Sequence, residues 1–217
     1  MLPALLFYLL KKYKHILTRQ KLKLLGLIIL FLSLLSIPVF SQQPLQKYTV
    51  LYKGEKVGEM QIQQKMAGDT THFKMISDVK MRMVISIHVV TLEESSFNRD
   101  KMLHSSVIRK VNGSPKVNRQ TRSSENKYLT FSDGKPGPVN NEMISYNLTR
   151  LYCMEPVNHK KVYSDAFQQF LTIQQLEKHK YKITLPDGNY NYYYYQNGIC
   201  NKVEIYHSFY TLQMILN

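Results

Sequence analysis

Cysteine is nearly missing from this chain: Cys153 and Cys200 are the only two among 217 residues. They leave room for one disulfide, whose closure over a 47-residue separation would be worth about 4 kcal/mol in the chain-entropy model. Two buried free thiols are the alternative. Ligand pairs at short spacing, the mark of zinc sites, are missing too. So are a glycine-rich phosphate loop, a Gly-x-Ser-x-Gly elbow and a His-Glu-x-x-His helix. The thin remainder is His104 with Ser106 on one strand face, and Cys153 with His159 as a thiol pair. No catalytic residue, cofactor or metal ligand is assigned from it.

Acids are scarce as well, 15 against 29 lysines and arginines. Six of the basic side chains and none of the acids fall within residues 1–41, so a formal +14 becomes +8 on the remainder. An excess of that size spread over strands is a solvated face rather than a nucleic-acid surface, and no nucleic-acid partner is expected. An anionic membrane surface or other envelope proteins fit better.

Residues 1–41 pair that basic cluster with the apolar run Leu24 to Leu35, then Val39 and Ser41 ahead of Gln42. The pattern predicts a secretory signal peptide cut after Ser41. Leu22 to Phe40 is also long enough to span a bilayer, so an uncleaved anchor in the inner membrane is the alternative. Either places residues 42–217, read as a single domain, outside the cytoplasm in the periplasm or secreted.

From Phe73 to Val89 every second residue is apolar or small, while polar residues such as Lys74, Asp78, Lys80 and His88 fall between. Period-two alternation is the signature of a strand with one covered face. Seventeen residues without Gly, Pro or Asn predict one long strand, roughly 55 Å if fully extended. Such a strand has to coil, bend at a bulge or be cut by a turn; coiled and one-sided, it predicts a strongly curved antiparallel sheet with a concave apolar face.

Short alternating segments bounded by turn residues continue to the C-terminus, with Asn112-Gly113 and Asn197-Gly198 as hairpin turns. The hairpin carrying Arg109, Lys110, Lys116, Arg119 and Arg122 is expected to face water. Five tyrosines between Tyr190 and Tyr195 predict cross-strand aromatic pairing on both faces of a hairpin. A single amphipathic helix is expected over 141–153, with Ile144, Leu148, Leu151 and Tyr152 as its apolar stripe. The fold class is thus mainly β: a strongly curved half-barrel sheet with one helix, preceded by the N-terminal signal or anchor helix.

Several motifs carry a resemblance: Tyr48-Thr49-Val50, Val57-Gly58, Leu151-Tyr152 before Glu155-Pro156, Pro186-Asp187-Gly188-Asn189 and Tyr195-Gln196-Asn197-Gly198-Ile199-Cys200. With them the chain resembles an uncharacterised family of exported proteins of Bacteroidota over almost all of 46–217. More loosely it is similar to the periplasmic lipoprotein carriers LolA and LppX, in which a curved sheet wraps helices around an apolar cavity. The resemblance implies a fold and a compartment and brings no catalytic residues. The expected function is a non-enzymatic module holding an apolar, lipid-like ligand on the concave face. Met81, Met83, Ile85 and Ile87 are the candidate contacts, with Ile144, Leu148 and Tyr152 as a partial lid. The alternative is an envelope scaffold or interaction module with a filled core and no small ligand.

Overall fold

The computed structural model describes residues 45–82 and 85–217, together with Tyr8 and Lys11. Apart from those two residues the expected leader lies outside the described residues, and so does Met83. No helix among the described residues is long and apolar enough to cross a membrane.

Fourteen strands form one antiparallel sheet. The first eight are β1 (Leu45–Tyr52), β2 (Glu55–Ala67), β3 (Thr70–Arg82), β4 (Ser86–Asn98), β5 (Lys101–Val111), β6 (Ser114–Ser124), β7 (Lys127–Ser132) and β8 (Lys135–Pro136). A short helix, α1 (Leu148–Cys153), separates them from β9 (Lys161–Ser164), β10 (Gln169–Glu177), β11 (Lys180–Thr184), β12 (Tyr190–Gln196), β13 (Ile199–His207) and β14 (Tyr210–Leu216). The order across the sheet is β8 to β1 and then β14 to β9. The two meanders are joined by the β1–β14 pairing, Tyr48 opposite Leu216.

The single strand expected over Phe73 to Val89 is two strands. Arg82 pairs with Ser86, Met81 with Ile87 and Val79 with Val89, so the chain reverses between Arg82 and Ser86. Odd-numbered residues pair with odd-numbered ones, and facing residues share a side of the sheet. The alternation therefore runs through the reversal in phase, with no turn residue to mark it. The inference of a curved, one-sided sheet survives the correction.

The expected helix is shorter by half. Asn147 caps α1 with its side chain, which accepts from Arg150 N at 3.1 Å, as N-caps do. The residues before it are extended because their backbone groups are used elsewhere. Asn140 exchanges two hydrogen bonds with Tyr128 of β7, Ile144 O accepts from Met102 N at 2.9 Å, and Tyr146 O accepts from Tyr163 N at 2.8 Å.

This connector spans the gap between the β7–β8 edge and β9, which do not pair with each other. Thr121 Oγ and the Tyr163 hydroxyl meet across it at 3.1 Å. Gln168 Nε2 donates to the Gln120 and Phe131 carbonyls at 2.9 and 3.2 Å. The sheet is unclosed, and side chains and connector complete its circumference.

Alternate turns of a meander share an end. The turns after β2, β4, β6, β10 and β12 lie at one end, and there the chain leaving α1 forms a plug. Glu155 N donates to Gly198 O at 3.0 Å, and the Glu155 carboxylate binds His179 at 3.0 Å and the Tyr181 hydroxyl at 2.8 Å. Above the plug, Tyr48, Tyr146, Leu151, Tyr195 and Val203 are buried in one cluster. The Tyr48 hydroxyl donates to Cys200 O at 2.7 Å and that of Tyr195 to Leu151 O at 2.8 Å. A second cluster, with Phe73, Phe97, Met102, Tyr128, Ile144 and Tyr163, lies under the connector. Gly58 of β2 has no room for a side chain, because a Cβ there would overlap the Asp78 carbonyl oxygen of β3.

The tyrosine run pairs on both faces, as expected. Tyr193 and Tyr195 point inward and are buried. Outside, Tyr190 stacks on Tyr206 with ring centres 4.9 Å apart, and Lys182 lies 4.4 Å over the Tyr190 ring. Cys153 and Cys200 are free thiols, so the candidate disulfide is not formed. Each sulfur is engaged separately, Cys153 Sγ with Gln46 Oε1 at 3.8 Å and Cys200 Sγ with Lys202 O at 3.4 Å. Burial pushes the Cys153 thiol up to about 12, the opposite of an activated nucleophile.

Candidate functional site: a cavity in the open end

The inward side chains fill the space around α1 and leave a cavity of about 400 Å³ beyond it. That volume falls within the roughly 300–1,000 Å³ of small-molecule pockets. One wall is apolar and sulfur-rich, with Met60, Met75, Val79, Met81, Leu212 and Met214. Leu148 and Tyr152 of α1 form the floor. At the mouth is a wider recess of about 860 Å³, framed by Tyr52, Lys53, Arg82, Ile87 and Phe209. Phe209, at the β13–β14 turn, is 82% exposed and Ile85 is 64% exposed.

The seven groove candidates therefore separate. Met81, Leu148 and Tyr152 line the cavity, while Ile85 and Ile87 stand at its mouth. Ile144 does not line it. It is fully buried in the cluster under the connector, because residue 144 belongs to the extended connector and not to the helix. Met83 is outside the described residues.

The opposite wall is polar, and the sequence reading missed it. Glu93 of β4 is half-buried against α1 and accepts from the Thr149 hydroxyl at 3.1 Å. Its burial raises the carboxyl, while Arg109 and the Thr149 hydrogen bond pull the other way. Asp165, just after β9, accepts from Asn147 Nδ2 at 2.9 Å through one oxygen. Its second oxygen is buried without a partner. Burial pushes this carboxyl up to about 7, tempered by the nearby Ser105 hydroxyl and raised further by Glu93. The Ser105 hydroxyl lies close enough to act on the charge but does not meet hydrogen-bond geometry. Asn191 Oδ1 and His207 Nδ1, on the β12–β13 side of the same cavity, are also buried and unpartnered.

Arg109 corrects a second expectation. It does not face water with the rest of its hairpin but lines the cavity. On β5 it stands opposite Thr91 of β4, between the inward-pointing Val107 and Val111. A signal for it existed: an arginine in phase with two valines on the covered face of a strand. Glu93 follows Val89 and Thr91 in the same way. Asp165 sits in a turn and leaves no periodic trace.

Among the described residues no group of His, Cys, Asp and Glu is arranged to hold a metal ion. His104 and Ser106 share neither the cavity nor a hydrogen bond with each other. His159 stacks on Tyr146 at 4.3 Å.

Comparison with solved structures finds a beta-barrel-like protein of the domain of unknown function DUF1849 from Brucella abortus. The two superpose with a TM-score of 0.50 at 11% identity, over 80% of this chain and 95% of that one. At that identity the likeness concerns the fold alone. The comparison with curated proteins returns no match. A family model, the domain of unknown function DUF6134, matches residues 48–217, the whole of the sheet from β1 to β14 but for its first residues. The chain belongs to the DUF6134 family.

Proposed function

We propose that this chain is an exported, non-enzymatic binding module of the cell envelope, and that it holds an apolar, lipid-like ligand in the open end of its sheet. The observation that carries the reading is the cavity of about 400 Å³ walled by four methionines and closed at one end only. Thioether side chains suit such a role because they adapt to ligands of different shape. Export rests on the charge and hydropathy pattern of residues 1–41. The mouth suits an anionic membrane surface, since Phe209 and Ile85 stand exposed beside Lys53 and Arg82, with Glu55 the one acid in the recess. Such a rim would let an apolar ligand pass without crossing water. The scaffold reading has support as well: the plugged end is filled by α1 and its tyrosines.

The test is displacement fluorimetry with N-phenyl-1-naphthylamine, backed by native mass spectrometry of protein taken from its own envelope. Saturable one-to-one dye binding, competed by single-chain amphiphiles, is the expected result. A protein that stays ligand-free and dark with the dye would leave the scaffold reading in its place.

A further inference from the structure

Arg109 carries five N–H donors on a cationic, planar guanidinium. Its side chain makes no hydrogen bond or ion pair within the described residues. It acts on two groups only through space: on Glu93 of the neighbouring strand β4 and on Tyr210 of β14. In the sheet β14 lies five places from β5. Arg109 and Tyr210 line the same cavity from separate parts of the sheet. Thr91, Asn191, His207, Tyr210 and Asp187 line the cavity with Arg109.

An arginine between two inward valines is costly unless a partner meets its charge. The carboxyls that line the cavity do not serve. Glu93 accepts from Thr149, Asp165 from Asn147 and the exposed Asp187 from Asn189, and none of the three is bonded to Arg109. The methionine wall therefore faces a cation with no bonded partner.

We infer that the cavity takes a single-chain amphiphile with an anionic head, carboxylate or phosphate, held by Arg109 while the chain lies along Met60, Met75, Met81 and Met214. This rests on the binding reading above. Planar guanidinium matches either head in a bidentate pair. A volume of about 400 Å³ has room for one alkyl chain and not for the two of a phospholipid. Asn191 Oδ1 and His207 Nδ1, buried and unpartnered, stand ready for a hydroxyl or a water carried with the head.

The experiment compares dodecanoate, dodecyl phosphate and dodecanol as competitors of N-phenyl-1-naphthylamine, in wild type and in Arg109→Gln and Arg109→Met. Circular dichroism and the thermal midpoint check that each variant is folded. In wild type at least one anionic competitor is expected to bind roughly ten- to a hundredfold more tightly than dodecanol. Both variants should erase that preference and leave dodecanol within about twofold of its wild-type affinity. The better of the two anions identifies the head. Equal binding of all three to wild type, or a preference that survives in both variants, overturns the head-group inference and leaves an apolar cavity standing. If none of the three competes and the dye itself does not bind, the binding reading fails and takes this inference with it.

Discussion

At the plugged end the inward residues of β1, β12 and β13, namely Tyr48, Tyr195 and Val203, close against α1 and its neighbours. A few residues further along the same strands, Val50, Asn191 and Ile205 line a void. The strands are continuous and the alternation does not change, so the difference is not in the sheet. It comes from what the sheet encloses: a helix of six residues is too short to fill the lumen from end to end. At about 1.5 Å per residue it occupies roughly 9 Å, against about 40 Å for a 13-residue strand such as β3. One end gains a core, and the other keeps its room.

That contrast can be broken by substitution, and the largest effect belongs at the plugged end. Leu151 is fully buried in the packed cluster. Leu151→Ala should cost about 3–5 kcal/mol in denaturant unfolding, because the surrounding side chains cannot collapse into the hole. A loss under about 1 kcal/mol would mean that the lower half is not tightly packed.

Asp165, at the boundary, comes next. Its carboxyl holds a proton up to about pH 7 when folded, against an ordinary value of 3.8. Between those values the unfolded chain ionises and the folded one does not, so stability falls as pH rises through that window. The loss is on the order of 4 kcal/mol by pH 8. Asp165→Asn removes it: wild type and variant should be close below pH 4, and the variant should gain steadily from pH 4 to 7. Parallel pH profiles would show that Asp165 is ionised in the fold.

In the cavity wall the expected cost is smaller. Met81→Ala removes apolar contact but enlarges a space that already exists, so roughly 1–2 kcal/mol should be lost. Equal costs for Met81→Ala and Leu151→Ala would erase the distinction between the two ends. At the mouth Phe209 touches little of the core, and Phe209→Ser should change stability by less than about 0.5 kcal/mol. It should also weaken co-sedimentation with anionic vesicles, the readout that tells a docking rim from a chance exposure.

Much of the fold was legible because turn chemistry and alternation act locally. Asn112-Gly113 and Asn197-Gly198 mark hairpins by their demand for positive φ, which all four residues adopt. The reversal after Arg82 was hidden for a reason of the same kind: it preserves odd–even parity, and no Gly or Asn announces it. The helix was over-read at its start. Ile144 and Tyr146 are apolar whether they face a helical core or an extended seam, and only the non-local hydrogen bonds to Met102 and Tyr163 decide between the two. The polar wall was lost because charge was counted along the chain. Arg109 reads as one more basic residue of a wet hairpin until its phase with Val107 and Val111 is given equal weight.

The way the wall is completed has a further consequence. A barrel closed by strands has its bore fixed by strand number and stagger. Here the last arc is a stretch of chain pinned by a handful of bonds, among them those of Tyr128 with Asn140 and of Thr121 with Tyr163. None of those contacts belongs to a pairing between named strands. The sheet is a cuff fastened by a clasp, its seam held by contacts that no strand ladder shares.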